Sequence, residues 1–408
     1  MSTTFAKTGE IETVGAHNGK RLRVLHLINY FEAGGTERQA VELLKRLDSS
    51  RYDVRLAALR NEGPLYDEIA NRFPAIPEFT FTSFYNATAV RQLARLRSFL
   101  LRHRIEILHA HDFYAGMLGV MAARLAGVRV IASQRNLRFS DRRAHLWGQV
   151  LINRLAHRVL VNANAIRDSL IANGGAAPEK IVVIRNGLRS FPDPAVNNGP
   201  STRNELLSEL RLEGKVKLVG MIANLRPVKG HRFFIEAASQ VLTEVANAHF
   251  VLVGEGELRR EIEQQAASLG IADHVHLLGY RADAARLNAA FDLAVLASLH
   301  EGLPNSVMEA MAAGVPVVST AVGGAVELIR DGVTGYLAPP ADPHTMAQRI
   351  TRALTNEVES AEISARGRQY VMSEFGMQAM VEKVECLYDD LAATHSVPSY
   401  QSFKPSIW

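Results

Sequence analysis

Short apolar segments alternate with longer amphipathic segments along this chain, and the whole pattern occurs twice. In the first half the strand candidates are residues 23–28, 54–59, 105–109, 128–132, 158–161 and 181–184. In the second half they are residues 216–221, 249–253, 274–278, 293–296 and 315–318. Alternation of strands and helices predicts a parallel sheet covered by helices on both faces. We therefore expect two Rossmann-like, doubly wound α/β domains that face each other across a cleft.

A segment rich in Pro, Asn and Gly, residues 191–200, separates the two patterns and indicates a linker. The chain length of 408 residues also exceeds what one core normally holds. We expect a first domain over residues 21–190 and a second over 191–375. A last helical pattern, 376–395, either ends the second domain or crosses back to the first. Residues 1–20 are predicted to be a disordered lead-in, and 396–408 an irregular tail.

Cys386 is the only cysteine, which excludes an intrachain disulfide and a cysteine-based metal cluster. No apolar segment reaches the roughly 18 residues of a membrane span, and the N-terminus lacks the apolar core of a signal peptide. These features predict a cytoplasmic protein.

Charge is distributed unevenly along the chain. Residues 1–190 contain 28 Lys and Arg against 16 Asp and Glu, a net of +12, and the remainder contains 18 against 26, a net of −8. A basic half predicts an anionic partner: a membrane surface, a phosphorylated substrate or a nucleic acid. Nucleic acid is disfavoured, because no basic stretch is interleaved with aromatic residues.

Two groups of arginines are candidates for contact with the inner face of a membrane. One lies at helical spacing in residues 90–104 and the other follows residues 128–132; their members are Arg91, Arg95, Arg97, Arg102 and Arg104, and Arg135, Arg138, Arg142 and Arg143. The alternative is that these side chains only solvate helix surfaces.

Two motifs of the first half follow strand candidates. Gly34 and Gly35 form a strand-to-helix turn, where a ligand can approach the backbone and an anion can meet free N–H groups. His111, in the segment His109–Asp112, is predicted to lie past its strand and enter the cleft. There it can contact a sugar hydroxyl or move a proton; the alternative is a helix-capping or buried structural histidine.

In the second half, the loop of residues 223–230 contains Asn224, Arg226 and Lys229. Two cations between a strand and a helix suit a diphosphate, and they offset charge on a leaving nucleoside diphosphate. Gly254 and Glu255, in a glycine-rich turn, and Tyr280, after the next strand, are candidates for nucleotide contacts.

The segment Glu301–Glu309 has a specific physical interpretation. Pro304 fits the first turn of a helix. The N–H groups around Gly302, Leu303, Asn305 and Ser306 are then unpaired and available to phosphate. Glu309, about one turn into the helix, can reach the two hydroxyl groups of a ribose. Glu301 precedes the helix, where the transferred sugar is expected.

Together these motifs resemble the retaining glycosyltransferases of family 4, which have the two-domain architecture called GT-B. The resemblance extends from about Leu22 to Leu391 and rests on Gly34-Gly35, His111, Asn186-Gly187, Lys229 and the pair Glu301 and Glu309. One position departs from the pattern: many members have arginine where this chain has Asn224. We expect Arg226 to supply that charge instead.

The resemblance implies transfer of a hexose-type sugar with retention of configuration, in which the donor phosphate assists deprotonation of the acceptor. It implies a nucleotide-sugar donor, most often a UDP-sugar with a GDP-sugar possible, and a glycan or lipid-linked acceptor in cell-surface or exopolysaccharide synthesis. Glu301, His111, Lys229 and Arg226 are the candidate catalytic residues. No metal or other cofactor is expected.

Two other functions remain open on the sequence. A sugar-nucleotide epimerase or hydrolase of the same fold would consume the donor without an acceptor. A non-catalytic, two-lobed sugar-binding protein would need no phosphate-binding cations.

Overall fold

The computed structural model describes residues 20–32, 34–80, 87–135, 143–188 and 199–393. The predicted tail and nearly all of the predicted lead-in lie outside these ranges. So do Arg138, Arg142 and most of the predicted linker.

The first sheet contains six parallel strands in the order β2-β1-β3-β4-β5-β6. They are β1 (Leu22–Ile28), β2 (Tyr52–Ala58), β3 (Ile107–His111), β4 (Arg129–Gln134), β5 (Arg158–Val161) and β6 (Ile181–Val183). Nearly every residue of β1 and β3 is buried, because helices cover both faces of the sheet. The chain crosses from one side of β1 to the other between β2 and β3, which opens a crevice at the carboxyl ends of the strands.

Helices connect these strands on both faces of the sheet. They are α1 (Gly35–Arg46), α2 (Tyr66–Ala70), α3 (Ala87–Arg102), α4 (Phe113–Ala126), α5 (Arg143–Leu155) and α6 (Asn164–Ala172), with a 3₁₀ turn at Pro178–Lys180.

The second sheet is also parallel, in the order β12-β11-β10-β7-β8-β9. Its strands are β7 (Lys217–Ile222), β8 (Ala248–Val253), β9 (Val275–Gly279), β10 (Leu293–Leu296), β11 (Val317–Thr320) and β12 (Tyr336–Ala338). Strand β12, which pairs with β11, was not among the sequence predictions.

The helices of the second half surround this sheet. They are α7 (Gly199–Glu209), α8 (His231–Val241), α9 (Arg259–Ser268), α10 (Ala284–Leu287), α11 (Asn305–Ala312), α12 (Ala325–Leu328), α13 (Pro343–Thr355), α14 (Glu357–Glu374) and α15 (Met377–Ala393). Short 3₁₀ turns lie at Pro227–Lys229, Ala272–His274 and Asn288–Ala290.

Helix α15 packs on the first sheet, although it follows the second sheet in sequence. Its apolar side chains share one buried cluster with residues of β1, β2, β3 and β5; the cluster includes Leu22, Tyr52, Ile107, Leu160, Met380, Val384 and Tyr388. The amide of Leu188 donates to the carbonyl of Phe375 at 2.6 Å, beside a bridge between Leu188 and Gly376. The chain therefore leaves the first sheet after β6 and returns to it after α14, and these two passages lie side by side.

Two parallel sheets, each covered by helices and each wound in both directions from its first strand, confirm the predicted pair of Rossmann-like domains. None of the helices in the described ranges is long and apolar enough to cross a bilayer.

Candidate functional site

A cavity of about 400 Å³ lies where the carboxyl ends of the two sheets meet. Open α/β sheets bind ligands in the crevice beyond these strand ends. We name its two sides for the sheets that supply them. The first wall contains Tyr30, Glu32, Gly34, Gly35, Thr36, Glu37, Asp112, Arg135, Asn162 and Asn186. The second wall contains Asn224, Arg226, Val228, Lys229, His300, Glu301, Gly302, Leu303 and Asn305.

An ion pair between Lys229 and Glu301 lies on the second wall, with Nζ 2.6 Å from Oε1. The hydroxyl of Ser298 donates to the same oxygen at 2.6 Å. Gly230, directly after the lysine, has φ of 67°, and a Cβ there would lie 2.0 Å from the carbonyl oxygen of Ala297. Only glycine allows this close approach to the end of β10, which brings the lysine beside the glutamate.

Arg226 lies on the same loop as Lys229 but is much more open to solvent. Its side chain is 59% exposed, and its Nη2 lies 4.0 Å from Oε2 of Glu32 on the first wall. Asn224 also lines the cavity. The loop after β7 therefore brings one paired cation, one solvated cation and one amide to the second wall.

Helix α11 begins at Asn305, and Pro304 precedes it as the N-cap with ψ of 110°. The predicted position of Pro304 inside the first turn is wrong by one residue, because its extended backbone ends the preceding loop. The N–H groups of the first turn have no partners within the helix. Asn305 lines the cavity, so this helix end offers an anion-binding site there.

A second cavity, of about 230 Å³, adjoins the first on the side of β7 and β8. Nine of the predicted donor contacts line it: Gly254, Tyr280, Ser306 and Glu309, together with Gly34, Gly35, Asn224, Lys229 and Asn305, which line both cavities. Glu309 is half-buried one turn into α11. Glu255 was predicted to line this space, but it is exposed, pairs with Arg259 at 3.6 Å and is outside both linings.

Gly34 and Gly35 line both cavities at the start of α1. Gly34 is the N-cap, and a Cβ there would lie 2.3 Å from Oε2 of Glu37. A Cβ on Gly35 would lie 3.1 Å from Nδ2 of Asn305, which faces it from α11. The two glycines therefore allow the start of α1 to approach both its own glutamate and the opposite helix end.

Asn186 connects the two walls at the base of the first cavity. Its Oδ1 accepts from Nη1 of Arg135 at 2.8 Å and from Nδ2 of Asn162 at 3.3 Å. Its Nδ2 donates to Oδ1 of Asn305 at 2.8 Å. Gly302 also contacts the first wall, where a Cβ would lie 2.0 Å from the carbonyl oxygen of Arg135. The start of α11 is thus held directly against the ends of β4, β5 and β6.

The predicted position of His111 past its strand is wrong. His111 is the last residue of β3, is 1% exposed and is outside both cavity linings. Its Nε2 lies 3.0 Å from Nδ1 of His26 on β1. The alternative interpretation, a buried structural histidine, agrees with this position, and Asp112 is the residue that reaches the cavity.

His111 ends a chain of buried hydrogen bonds that reaches α15. Tyr388 OH lies 3.0 Å from Nε2 of His26 and 2.7 Å from Nδ1 of His109, whose Nε2 lies 2.8 Å from the Ser133 hydroxyl. The ring nitrogens of the three histidines lie within 4.8 Å of one another, a spacing that could also hold a metal ion. Burial lowers the pKa of His26 to about 3 and the pKa of His111 well below its usual value. A neutral imidazole ring can donate one hydrogen bond and accept another, as this chain requires. We therefore assign the three histidines a structural role.

Glu37 is a first-wall residue that the sequence analysis did not identify. It lies in the first turn of α1 and is 9% exposed. Burial, and after it the charge of Asp112, raises the pKa of its carboxyl group to about 7. Burial also raises the pKa of Asp112, whose Oδ1 accepts from the amide of Phe113 at 2.8 Å. A glutamate in a first helical turn is so common that its sequence position gives no signal of this environment.

Arg135 lies on the first wall and not on the outer surface. The sequence predicts a place for it among arginines that face a membrane, but it is 8% exposed, directly follows β4 and lines the cavity. Burial lowers the pKa of its guanidinium to about 10, against the opposing effect of Glu37. The prediction for Arg135 is therefore wrong, because residues directly after a parallel strand turn into the crevice.

A third cavity, of about 420 Å³, lies beside the first wall. It shares Tyr30 and Glu32 with the first cavity and is otherwise lined by Asn29, Leu59, Arg60, Glu62, Gly63 and Tyr114. A ligand can therefore extend from the first cavity along the first sheet without leaving a concave surface.

Two family profiles match this chain, one in each half. The profile described as Glycosyltransferase Family 4 matches residues 33–189, and the profile described as Glycosyl transferases group 1 matches residues 216–356. Together they include most of the residues that line the cavities.

Curated relatives and solved structures match over most of the chain. The UDP-Gal:alpha-D-GlcNAc-diphosphoundecaprenol alpha-1,3-galactosyltransferase of Escherichia coli is 26% identical over 386 residues, covering 91% of this chain and 97% of the relative. The putative glycosyltransferase EpsF of Bacillus subtilis is 27% identical over 318 residues, covering 74% and 79%. The crystal structure of Anabaena HepE in complex with UDP and glucose has a TM-score of 0.78 at 24% identity, covering 90% of this chain and 100% of that one.

Proposed function

This chain belongs to the group 1, or family 4, glycosyltransferases of the GT-B fold, and we propose that it transfers a hexose-type sugar from a UDP-sugar to a glycan or lipid-linked acceptor. We further propose that the transfer retains the anomeric configuration and serves cell-surface or exopolysaccharide synthesis.

The arrangement of Lys229, Glu301 and the start of α11 in one cavity is the observation that supports this proposal most directly. Cleavage of the bond between the sugar and the diphosphate leaves negative charge on the diphosphate. A lysine and the unpaired N–H groups of a helix end stabilise such charge without reorganising. Glu301, held by Lys229 and Ser298, presents its other carboxylate oxygen to the hydroxyl groups of the transferred sugar. We therefore assign Glu301 to orientation of the sugar.

The second cavity is the proposed site of the nucleoside. Glu309 would accept hydrogen bonds from the two ribose hydroxyls, and Gly254 and Tyr280 would contact the base. Gly254 has φ of 146°, and a Cβ there would lie 2.2 Å from the Ala223 carbonyl oxygen, so the turn lies close against the loop after β7. The choice of UDP follows the name of the E. coli relative, which gives UDP-Gal as its donor.

The first wall and the third cavity form the proposed acceptor site. Two tyrosines, Tyr30 and Tyr114, and the polar side chains around them can contact the faces and hydroxyl groups of a sugar. The E. coli relative is named for a diphosphate-linked lipid acceptor, which supports an acceptor of that class here. We propose that residues 21–190 and 376–395 bind the acceptor and residues 191–375 the donor.

Lys229, Arg226 and the helix end also support transfer without a divalent metal ion, because they supply the positive charge that the leaving diphosphate needs. We expect activity to persist in the presence of a chelator. Loss of activity with a chelator, restored by magnesium or manganese, would overturn this part of the proposal.

We also propose that the first half contacts an anionic membrane surface at the inner face of the membrane. Arg91, Arg95, Arg97, Arg102 and Arg104 are exposed on or just after α3. On α5, Trp147 is 72% exposed beside the exposed side chains of Leu146 and Leu151. Helices α3 and α5 both pack against α4, and exposed aromatic and aliphatic side chains combined with arginines suit the interface of a bilayer.

Binding to vesicles tests this surface. The protein should sediment with vesicles that contain anionic lipid, lose that binding in high salt, and bind less after Trp147→Ala. Val358→Ala, at an equally exposed apolar residue on α14, is the matched control. Sedimentation that is indifferent to anionic lipid and to salt would contradict the proposal.

A donor screen tests the proposed reaction itself. Thermal shift with UDP-, GDP- and ADP-sugars should give the largest stabilisation with a UDP-sugar. Glu309→Ala should weaken binding of that donor by about 10- to 100-fold, since hydrogen bonds to a charged group contribute about 1.5–3 kcal/mol. Glu362→Ala, an exposed glutamate on α14, should bind as the wild type does. Donor consumption with no acceptor and no transfer product would instead favour an epimerase or hydrolase.

A further inference from the structure

Backbone hydrogen bonds fix the shape of the third cavity at the ends of β1 and β2. The amide of Phe31 donates to the carbonyl of Glu62 at 2.7 Å, and the amide of Arg60 donates to the carbonyl of Asn29 at 3.0 Å. Gly63 has φ of 118°, and a Cβ there would lie 2.3 Å from the carbonyl oxygen of Phe31. Glycine therefore allows the loop after β2 to lie directly against the loop after β1.

The start of α4 supplies the remaining side of this cavity. Oδ1 of Asn29 accepts from the amide of Ala115 at 2.7 Å, which holds the first turn of α4 against the end of β1. Tyr114, in the same turn, then lines the cavity together with Tyr30. Tyrosine rings can contact the apolar face of a sugar, and carboxylate oxygens can accept hydrogen bonds from its hydroxyl groups. The lining therefore suits a sugar.

The charged residues that line the first wall and the third cavity are mostly acidic. Four are carboxylic acids and two are arginines: Glu32, Glu37, Glu62 and Asp112, and Arg60 and Arg135. With Glu37 protonated, the carboxylates still outnumber the guanidinium groups. Among the residues that line the third cavity, Arg60 is the only cation, and its Nη1 lies 3.9 Å from Oε2 of Glu62. Its charge is therefore already opposed by a carboxylate.

Tyr30, which lines both cavities, reports the sign of the charge where they join. Burial, and after it the charges of Glu37, Glu32 and Asp112, raises the pKa of its hydroxyl group, against the effect of Arg226. An added negative charge is thus unfavourable at this place. A phosphate group of the acceptor would meet the same opposition there.

The outer surface of the first half has the opposite sign. Residues 1–190 carry a net charge of +12, and the exposed arginines of residues 90–104 lie outside the linings of both cavities. A basic surface outside and an acidic cavity inside suit two different parts of one acceptor. The surface suits its anionic anchor, and the cavity suits its uncharged sugars.

We propose that the third cavity binds a second, uncharged sugar of the acceptor, so that the preferred acceptor is a lipid diphosphate that carries at least two sugars. The inference rests on the proposed glycosyl transfer. The terminal sugar, which carries the attacking hydroxyl group, lies in the first cavity, and the sugar before it lies in the third. The two cavities, of about 400 and 420 Å³, are each large enough to be a binding site.

A one-sugar acceptor would instead bring its diphosphate close to Glu32 and Glu62, which line the third cavity. This repulsion, and the loss of contacts with Tyr114, would make it the poorer substrate. An earlier glycosyl transfer to the lipid diphosphate must therefore supply the acceptor of this enzyme.

The experiment compares water-soluble, short-chain lipid diphosphates that carry one, two or three sugars. Three such series end in glucose, galactose or N-acetylglucosamine, and the donor is the UDP-sugar that stabilises the protein most. In the series that supports transfer, kcat/KM should rise by about 10-fold or more from one sugar to two, because the second sugar gains an aromatic contact and moves the diphosphate away from the carboxylates. The third sugar should change kcat/KM by about twofold at most, because it lies beyond the cavity that the second sugar fills.

Two variants give readouts that damage to the fold would not produce. Tyr114→Ala should reduce the preference for two sugars over one by about fivefold, whereas a damaged fold lowers both rates alike. Glu62→Lys should raise kcat/KM for the one-sugar acceptor about threefold or more above wild type, because lysine pairs with the diphosphate. Since residue 62 is 74% exposed, high salt should weaken this gain.

Glu213→Lys, at an exposed residue between α7 and β7, makes the same change in net charge away from the cavities and is the matched control. It should keep the wild-type preference. Equal use of one-sugar and two-sugar acceptors by wild type would overturn the inference. A preference that Tyr114→Ala leaves unchanged, or a Glu62→Lys enzyme with no gain on the one-sugar acceptor, would also overturn it.

Failure of the inference is distinct from failure of the proposed function. If wild type binds no UDP, or transfers sugar to no member of any series, the proposed transfer and this inference both fall. If wild type transfers sugar to the one-sugar acceptor as well as to the two-sugar acceptor, only the second sugar site falls.

Discussion

Lys229 and Arg226 on the second wall keep 26% and 59% of their side chains exposed, whereas Glu37 and Arg135 on the first wall are 9% and 8% exposed. Buried charges lose hydration, so their ionisation responds to each neighbour. The second wall therefore presents hydrated cations that suit a diphosphate, and the first wall presents groups whose ionisation depends on their neighbours.

The largest effect that this contrast predicts is on the second wall. Lys229→Ala removes the cation that lies 2.6 Å from Glu301 and should lower kcat/KM by about 100- to 1,000-fold, as for other charge-stabilising donors in active sites. Arg226→Ala, which removes a more solvated cation, should lower it by about 10-fold. Steady-state kinetics with the preferred donor measures both. Equal losses would show that the two cations share the charge of the diphosphate.

A second prediction concerns stability and the first wall. The pKa of Glu37 rises from an ordinary 4.5 to about 7 in the folded protein, and each pKa unit corresponds to about 1.4 kcal/mol. The folded state binds the proton more tightly, so this stabilisation is complete below about pH 4.5 and is lost as pH rises through 7. Glu37→Gln does not titrate. It should become more stable than wild type as pH rises, by about 3 kcal/mol at pH 8.

Urea denaturation of both proteins at pH 5 and pH 8 measures this difference. Glu42→Gln, which breaks an ion pair on the same helix, should be less stable than wild type at both values. A Glu37→Gln protein whose stability relative to wild type does not change with pH would show that Glu37 ionises normally, and the two walls would then differ less than their burial implies.

The smallest predicted effect is at Asn186, where the two walls meet. Asn186→Ala removes the hydrogen-bond partner of Nη1 of Arg135 and of Oδ1 of Asn305, and should cost about 1–3 kcal/mol of stability, the usual effect of an unsatisfied buried group. Asn173→Ala, at an exposed asparagine after α6, is the control. Thermal unfolding measures both, and equal melting temperatures would show that the walls are held together elsewhere.

The second wall is also the part of the site that sequence reasoning located better. Its residues lie in two short segments, 224–229 and 300–305, so a strand-to-helix loop and a helix start place all of them. The first wall combines the segment 30–37, which follows β1, with single residues that follow β3, β4, β5 and β6. No local pattern connects Glu37, Asp112 and Arg135, because only the sheet order makes them neighbours.

His111 illustrates a different limit of sequence reasoning. All five residues of β3 are buried, because helices cover both faces, so alternation of polar and apolar residues gives no boundary for this strand. The observed strand ends two residues later than the predicted one, so His111 lies in the core and not in the cleft. Strand β12 was missed for a related reason, since three residues are too few to form a pattern.

Helix α15 has a consequence for how the chain is made. The cluster that buries one side of strands β1 to β5 is completed by Met380, Val384, Tyr388 and Leu391, near the end of the described chain. A ribosome adds about 5–20 residues per second and releases the N-terminal part first. The first sheet therefore emerges with an open apolar surface, and it is closed only after the whole second sheet has been synthesised. The first sheet, although it is synthesised first, is therefore the last to have its core completed.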